Sequence, residues 1–224
     1  MSLFEQVSAA TGLMRAGFAR IPIVERALSG AVDRDEYLAF LGQAYHHVRQ
    51  TVPLLMACGA RLPSRLEWLR SAVAEYISEE IGHEQWILDD IAAAGGDPET
   101  VRKAAPLPAT EIMVACAYDL VARGNPVGFF GMVFVLEGTS VALASRAADA
   151  LRRRLGLPKE AFRYLTSHGS LDQEHIGVLQ SLLDRLEDPD DRAAVLHGAV
   201  LFYRLYGDIF RSLSIPGEPG RSAA

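Results

Sequence analysis

Apolar residues recur along this chain at three- and four-residue intervals with polar residues between them, the spacing of a helix with one buried face. Alternation of the strand type, bounded by turn residues, is absent. The pattern predicts helices over residues 2–17, closed by Gly17, and over 21–30, which is short and apolar. A helix over 34–61 follows, capped by Asp33 and kinked at Pro53. Pro63-Ser64 opens the next, over 65–94, with Glu67 completing a capping box and Gly95-Gly96 stopping it. A short helix at 97–105 leads to helices at 109–123, 127–155, 159–186 and 189–213. The stretch 127–155 is the most apolar of all, and PGEPGRSAA at 216–224 reads as a disordered tail. Repeats, low-complexity segments and flexible linkers are missing. Helices separated by short breaks point to an all-α bundle of seven or more helices, one domain over residues 1–215.

Composition narrows the class. Half of the 224 residues are hydrophobic, which is enough for a large core. The net charge of −6 is spread over interspersed acids and bases, and without a basic stripe nucleic acid is not an expected partner. No uninterrupted apolar run reaches the roughly 18 residues of a bilayer span, and the N-terminus lacks the basic-then-apolar order of a signal peptide. Cys58 and Cys116 lie in apolar helical contexts and form neither a disulfide framework nor a zinc pattern. These features give the expectation of a cytoplasmic protein with buried free thiols and no membrane partner. An apolar helix face would permit a homodimer.

Three stretches carry donor chemistry. In YLTSHGSLDQEHIGV (164–178), His168, Asp172 and His175 fall at i, i+4 and i+7. At about 100° per residue they lie within about 60° of one another on one face, a ligand arrangement for iron or manganese. In Glu79-Glu80-Ile81-Gly82-His83-Glu84, either Glu80 or Glu79 shares a helix side with His83. The third is Glu137, in PVGFFGMVFVLEGTSVALAS, where a buried carboxylate costs several kcal/mol unless it is paired or binds a cation. The plainer readings are polar surfaces that happen to contain histidine, and a buried Glu satisfied by an Arg or a helix N-terminus. Taken together, Glu80, His83, Glu137, His168, Asp172 and His175 supply three imidazoles and three carboxylates, a set that suits iron better than calcium or magnesium.

The order Glu-x-x-His, a lone Glu in an apolar helix, then His-x-x-x-Asp-x-x-His resembles the haem-oxygenase-like diiron oxidases and oxygenases. That group is related to TenA and to the pyrroloquinoline-quinone synthase PqqC. The resemblance runs from the Tyr45 helix to the His175 helix. It implies the haem-oxygenase-like fold, a non-haem centre of two irons (or Mn/Fe) on those six residues, and dioxygen activation on a small organic substrate. Some members use a further carboxylate about two turns before the His, where Tyr76 stands here. The competing functions are a metal-free TenA-like (thiaminase II) or PqqC-like enzyme, a haem oxygenase, and a non-catalytic metal store. A haem oxygenase would need an axial histidine near the first helix; residues 1–40 contain none, so His46 or His47 would have to serve. Both of these read more simply as core or surface histidines. Phe129, Phe130, Phe134 and Trp86 read as core, and Cys116 has no activating base nearby in sequence. Arg49, Arg204, Tyr203 and Tyr206 are further candidates for lining a pocket.

Overall fold

The computed structural model describes residues 1–213, with the side chains of 168–174 outside the description. His168 and Asp172 therefore lie outside the described residues, as does the 216–224 tail. Everything regular among the described residues is helical: α1 (Leu3–Ala10), α2 (Gly12–Phe18), α3 (Pro22–Ser29), α4 (Arg34–Val48), α5 (Thr51–Arg61), α6 (Glu67–Glu80), α7 (His83–Ala93), α8 (Pro98–Lys103), α9 (Pro108–Arg123), α10 (Phe129–Leu155), α11 (Arg163–Asp184) and α12 (Pro189–Ser212).

Three expected long helices are each two shorter ones. The first divides at Thr11, whose hydroxyl bonds the Val7 carbonyl at 2.7 Å. The 34–61 helix divides at Arg49 and Gln50. Pro53 sits in the first turn of α5, where its missing N–H costs nothing, and so it does not kink a continuous helix. The 65–94 helix divides at Gly82, whose φ of 94° is left-handed backbone that glycine adopts without strain. The capping box at Ser64 does not form: Ser64–Leu66 is a 3₁₀ turn without a side-chain cap, and Glu67 pairs with Arg70. Asp33 does cap α4, in a reciprocal box with Glu36.

Helix α10 is the axis of the bundle, packed by α11, α12 and α3. By length and composition it qualifies as a bilayer span in spite of Glu137, yet 67% of its apolar window is buried inside the protein, as for a core helix. Its approach to α12 is set by glycine. A Cβ on Gly131 would lie 2.4 Å from the Ala199 nitrogen and the Val195 oxygen, and one on Gly198 would lie 2.2 Å from the Gly128 oxygen. The two backbones thus touch where side chains would hold them apart. At its other end α10 stops at Gly156, with φ 63°.

The start of α11 is fixed from another helix. Asp90 of α7, fully buried, accepts hydrogen bonds from the backbone N–H of Arg163 (3.1 Å) and Tyr164 (2.9 Å). Since α11 has no side-chain cap of its own, Asp90 performs that function across the fold. Tyr37, also buried, donates to the Ala161 carbonyl at 2.7 Å just ahead of it. This anchoring sets where the helix bearing His175 enters the bundle.

Candidate metal centre

Glu80 is the last residue of α6 and His83 the first of α7. The turn at Ile81-Gly82 folds them back on each other, with His83 Nδ1 3.1 Å from Glu80 Oε2 and both side chains buried. The juxtaposition that a continuous helix would have produced is thus made by a break. Trp86 stacks on the His83 ring with centroids 4.0 Å apart, and the Arg163 guanidinium lies over the Trp86 ring at 4.7 Å from its centroid. Trp86 is therefore half-buried in the wall of the site, a departure from the core role expected of it. Phe129, Phe130 and Phe134 are core, as expected.

Glu137 projects from α10 and is 5% exposed. Tyr76 of α6 donates its phenol proton to Oε1. His175 of α11 brings Nδ1 to 3.5 Å from the same oxygen, while its Nε2 lies 3.2 Å from Glu79 Oε2. Tyr76 and His175 also meet edge to face at 5.3 Å. Glu137 Oε2 is buried and has no hydrogen-bond partner among the described residues. Burial holds the Glu137 carboxyl above the ordinary carboxylate range, and Glu80 adds to that, while His175 and Tyr76 oppose it. Glu79 and Glu80 are separated by position: the Glu80 side chain is 7% exposed, against 58% for Glu79 at the rim.

A cavity of about 430 Å³ is bounded by Glu79, His83, Trp86, Glu137 and His175, with Tyr76 and Phe130 in its wall. Four of the six predicted donors (Glu80, His83, Glu137 and His175) thus converge from α6, α7, α10 and α11. Among the described residues no three His, Cys, Asp or Glu side chains close into a ready-made cage; they meet as pairs. The set nonetheless fits a cation. It is made of carboxylate and imidazole, and it includes a buried carboxylate oxygen that lacks a partner.

On the other side of Glu137, a cavity of about 80 Å³ is lined by His47, Tyr76, Glu80, Ser140, Tyr164 and Tyr206, among others. His46 and His47 are both buried. Burial and Arg49 hold the His46 pKa below its ordinary value, while His47 faces the cavity and meets Tyr206 edge to face at 5.8 Å. Ser140 and Tyr164 were not singled out from the sequence. The available signal was that Ser140 lies three residues after Glu137, on the same helical face. Tyr76, near the place where some members of the resembled family have a further carboxylate, serves as the hydrogen-bond donor to Glu137. Arg204 is exposed, and Arg49 lies over the Tyr45 ring.

The structure is similar to that of a domain of unknown function with a haem oxygenase-like fold from Shewanella denitrificans (TM-score 0.84, 23% identity, 95% of this chain and 92% of that one). It is also similar to a TenA homologue from Pseudomonas syringae pv. tomato (TM-score 0.76, 10% identity, 93% and 90%), and to haem oxygenase-1 from the cyanobacterium Synechocystis in complex with haem (TM-score 0.73, 12% identity, 95% and 92%). The fold is therefore haem-oxygenase-like, as the resemblance implied. No curated protein matches the chain. Residues 38–207 match the sequence profile of a family described as iron-containing redox enzymes.

Proposed function

Because the chain belongs to the family of iron-containing redox enzymes, we propose that it is a dioxygen-dependent oxidoreductase holding two irons, or a manganese and an iron. The ligands in this reading are Glu80, His83, Glu137, His168, Asp172 and His175, with Glu79 as the alternative to Glu80. The observation that carries it is Glu137: a carboxylate on the buried core helix α10, with one buried oxygen unpartnered among the described residues. Such a group is costly unless a cation completes it. When bound, iron supplies the chemistry by which dioxygen is reduced and a small organic substrate oxidised.

The surrounding residues have roles that follow from their contacts. Tyr76 fixes one Glu137 oxygen and leaves the other directed elsewhere. The Glu80–His83 contact orients the imidazole, and the stacked Trp86 holds its plane. Phe130 and Val133 provide apolar walls that limit water at the centre. A TenA-like thiol nucleophile is less well supported, because burial and Asp119 push the Cys116 thiol up, the opposite of activation.

Anaerobic Fe(II) titration followed by exposure to dioxygen tests the proposal. The expected result is about two irons per chain, consumption of dioxygen, and loss of both in Glu137→Gln and His175→Ala. Failure to take up iron, or full iron content and dioxygen consumption in both variants, would overturn it. A Soret band on adding hemin would favour the haem reading instead, and activity that survives complete chelation would favour the metal-free one.

A further inference from the structure

A third cavity, of about 100 Å³, lies between α3, α4, α10, α11 and α12. Its lining is apolar, with Val24, Leu28, Phe40, Leu143, Leu151 and Phe210 representative. Among the described residues the one charged side chain in that lining, Glu36, is already committed to Arg26 and to the Asp33 backbone. Ser140, Tyr164 and Tyr206 line both this cavity and the one beside Glu137 and Glu80. At that shared wall the Ser140 hydroxyl oxygen is buried without a hydrogen-bond partner among the described residues. Beyond Ser140, Leu143, Ala144, Ala147 and Leu151 follow at three- and four-residue steps, so one face of α10 runs from Glu137 along the apolar cavity.

The apolar walls of this cavity are stabilised by an apolar occupant, and the buried hydroxyl by a hydrogen-bond partner. One ligand answers both: an apolar arm fills the cavity while a polar group bonds Ser140. We propose that the substrate is an unbranched hydrocarbon chain with a single polar end. The tail lies in the apolar cavity, and the polar end lies at Ser140 with the adjoining carbon facing Glu137. The alanines at 144 and 147 leave the room that the tail occupies, so the size of the side chains there sets the length of tail accepted. The place of oxidation rests on the iron-centre reading above; the binding of the tail does not.

The test therefore uses a neutral probe series that needs no metal. Straight-chain primary alcohols of increasing length are titrated calorimetrically into the protein as purified and again after chelation. Each added methylene should tighten binding about fourfold until the cavity is full. Ala144→Phe should flatten the series beyond its shortest members while leaving those members unchanged. Ala147→Leu, a smaller increment, should shift the plateau to a shorter chain and guards against a variant that does not fold. Ser140→Ala should weaken all members by a similar factor. Affinity independent of chain length, or a series unaffected by both alanine variants, would overturn the proposal. So would an Ala144→Phe protein that is merely more stable with its chain-length series intact, since the cavity would then be only a packing void. Iron uptake with no chain-length dependence would retain the metal centre and reject this substrate. Chain-length dependence without iron uptake would do the reverse.

Discussion

Asp90 gives the sharpest test of how the fold holds the helix that carries His175. Its carboxyl is fully buried and accepts the first N–H groups of α11. Burial, the largest cause, pushes its pKa from 3.8 to about 7; Asp89 adds slightly, while the two N–H bonds and Arg163 pull back. The native state thus binds a proton here that the unfolded chain has already released. The resulting stability is fully present below about pH 4, declines as pH rises, and is gone above about pH 7. At about 1.4 kcal/mol per pH unit over that window, the change is on the order of 4 kcal/mol. Asn cannot titrate, so in urea unfolding of the metal-free protein the difference between wild type and Asp90→Asn should change by that order between about pH 4 and 7. Glu137 contributes to both proteins and cancels. Asp90→Ala removes the acceptor altogether and should cost about 1–3 kcal/mol for each N–H left unpaired. Its loss of hydrogen-exchange protection should concentrate in residues 163–184. Parallel stability profiles for wild type and Asp90→Asn would refute the titration. Unchanged α11 protection in Asp90→Ala would refute the anchoring.

Gly131→Ala should cost about 3 kcal/mol or more, or prevent folding, because the methyl meets α12 backbone at 2.4 Å. Gly138→Ala in the same helix, with nothing within 4 Å, should be neutral or stabilising by up to about 1 kcal/mol; thermal melts of the two distinguish a close helix contact from mere helix propensity. Glu137→Gln should raise the melting temperature of the metal-free protein at neutral pH while abolishing iron binding, since the native carboxyl is held above its ordinary 4.5 and ionising it as pH rises destabilises the fold. An unchanged melting temperature would show that the site already compensates that charge. Cys58, buried and with its thiol pushed up to about 12, should resist thiol reagents until the protein unfolds, with half-buried Cys116 modified before it; equal native rates would contradict the packing around Cys58.

The helical class, the order of the helices and the donor-bearing stretches were legible in the chain because they depend on local spacing. Apolar residues at three- and four-residue intervals select helix, and His175, Glu137 and the Glu80–His83 pair stand out because such groups are unusual next to apolar neighbours. The helix breaks were less legible. Thr11, Gln50 and Gly82 interrupt stretches whose periodicity continues across them, and a short-range pattern does not register a change of helix direction. Only tertiary structure decided that the turn at Gly82 presses His83 onto Glu80, that Tyr76 donates to Glu137, and that Glu80 is inside while Glu79 is at the rim. The same holds for the capping of α11 by Asp90, a residue 73 positions away in sequence from its first partner, and for the apolar cavity behind Ser140. Local sequence determines which residues can form a helix and which can bind a cation. How those helices cross depends on backbone contacts such as Gly131 against Ala199, between residues remote in the chain, and that crossing sets which side chains meet and where cavities remain.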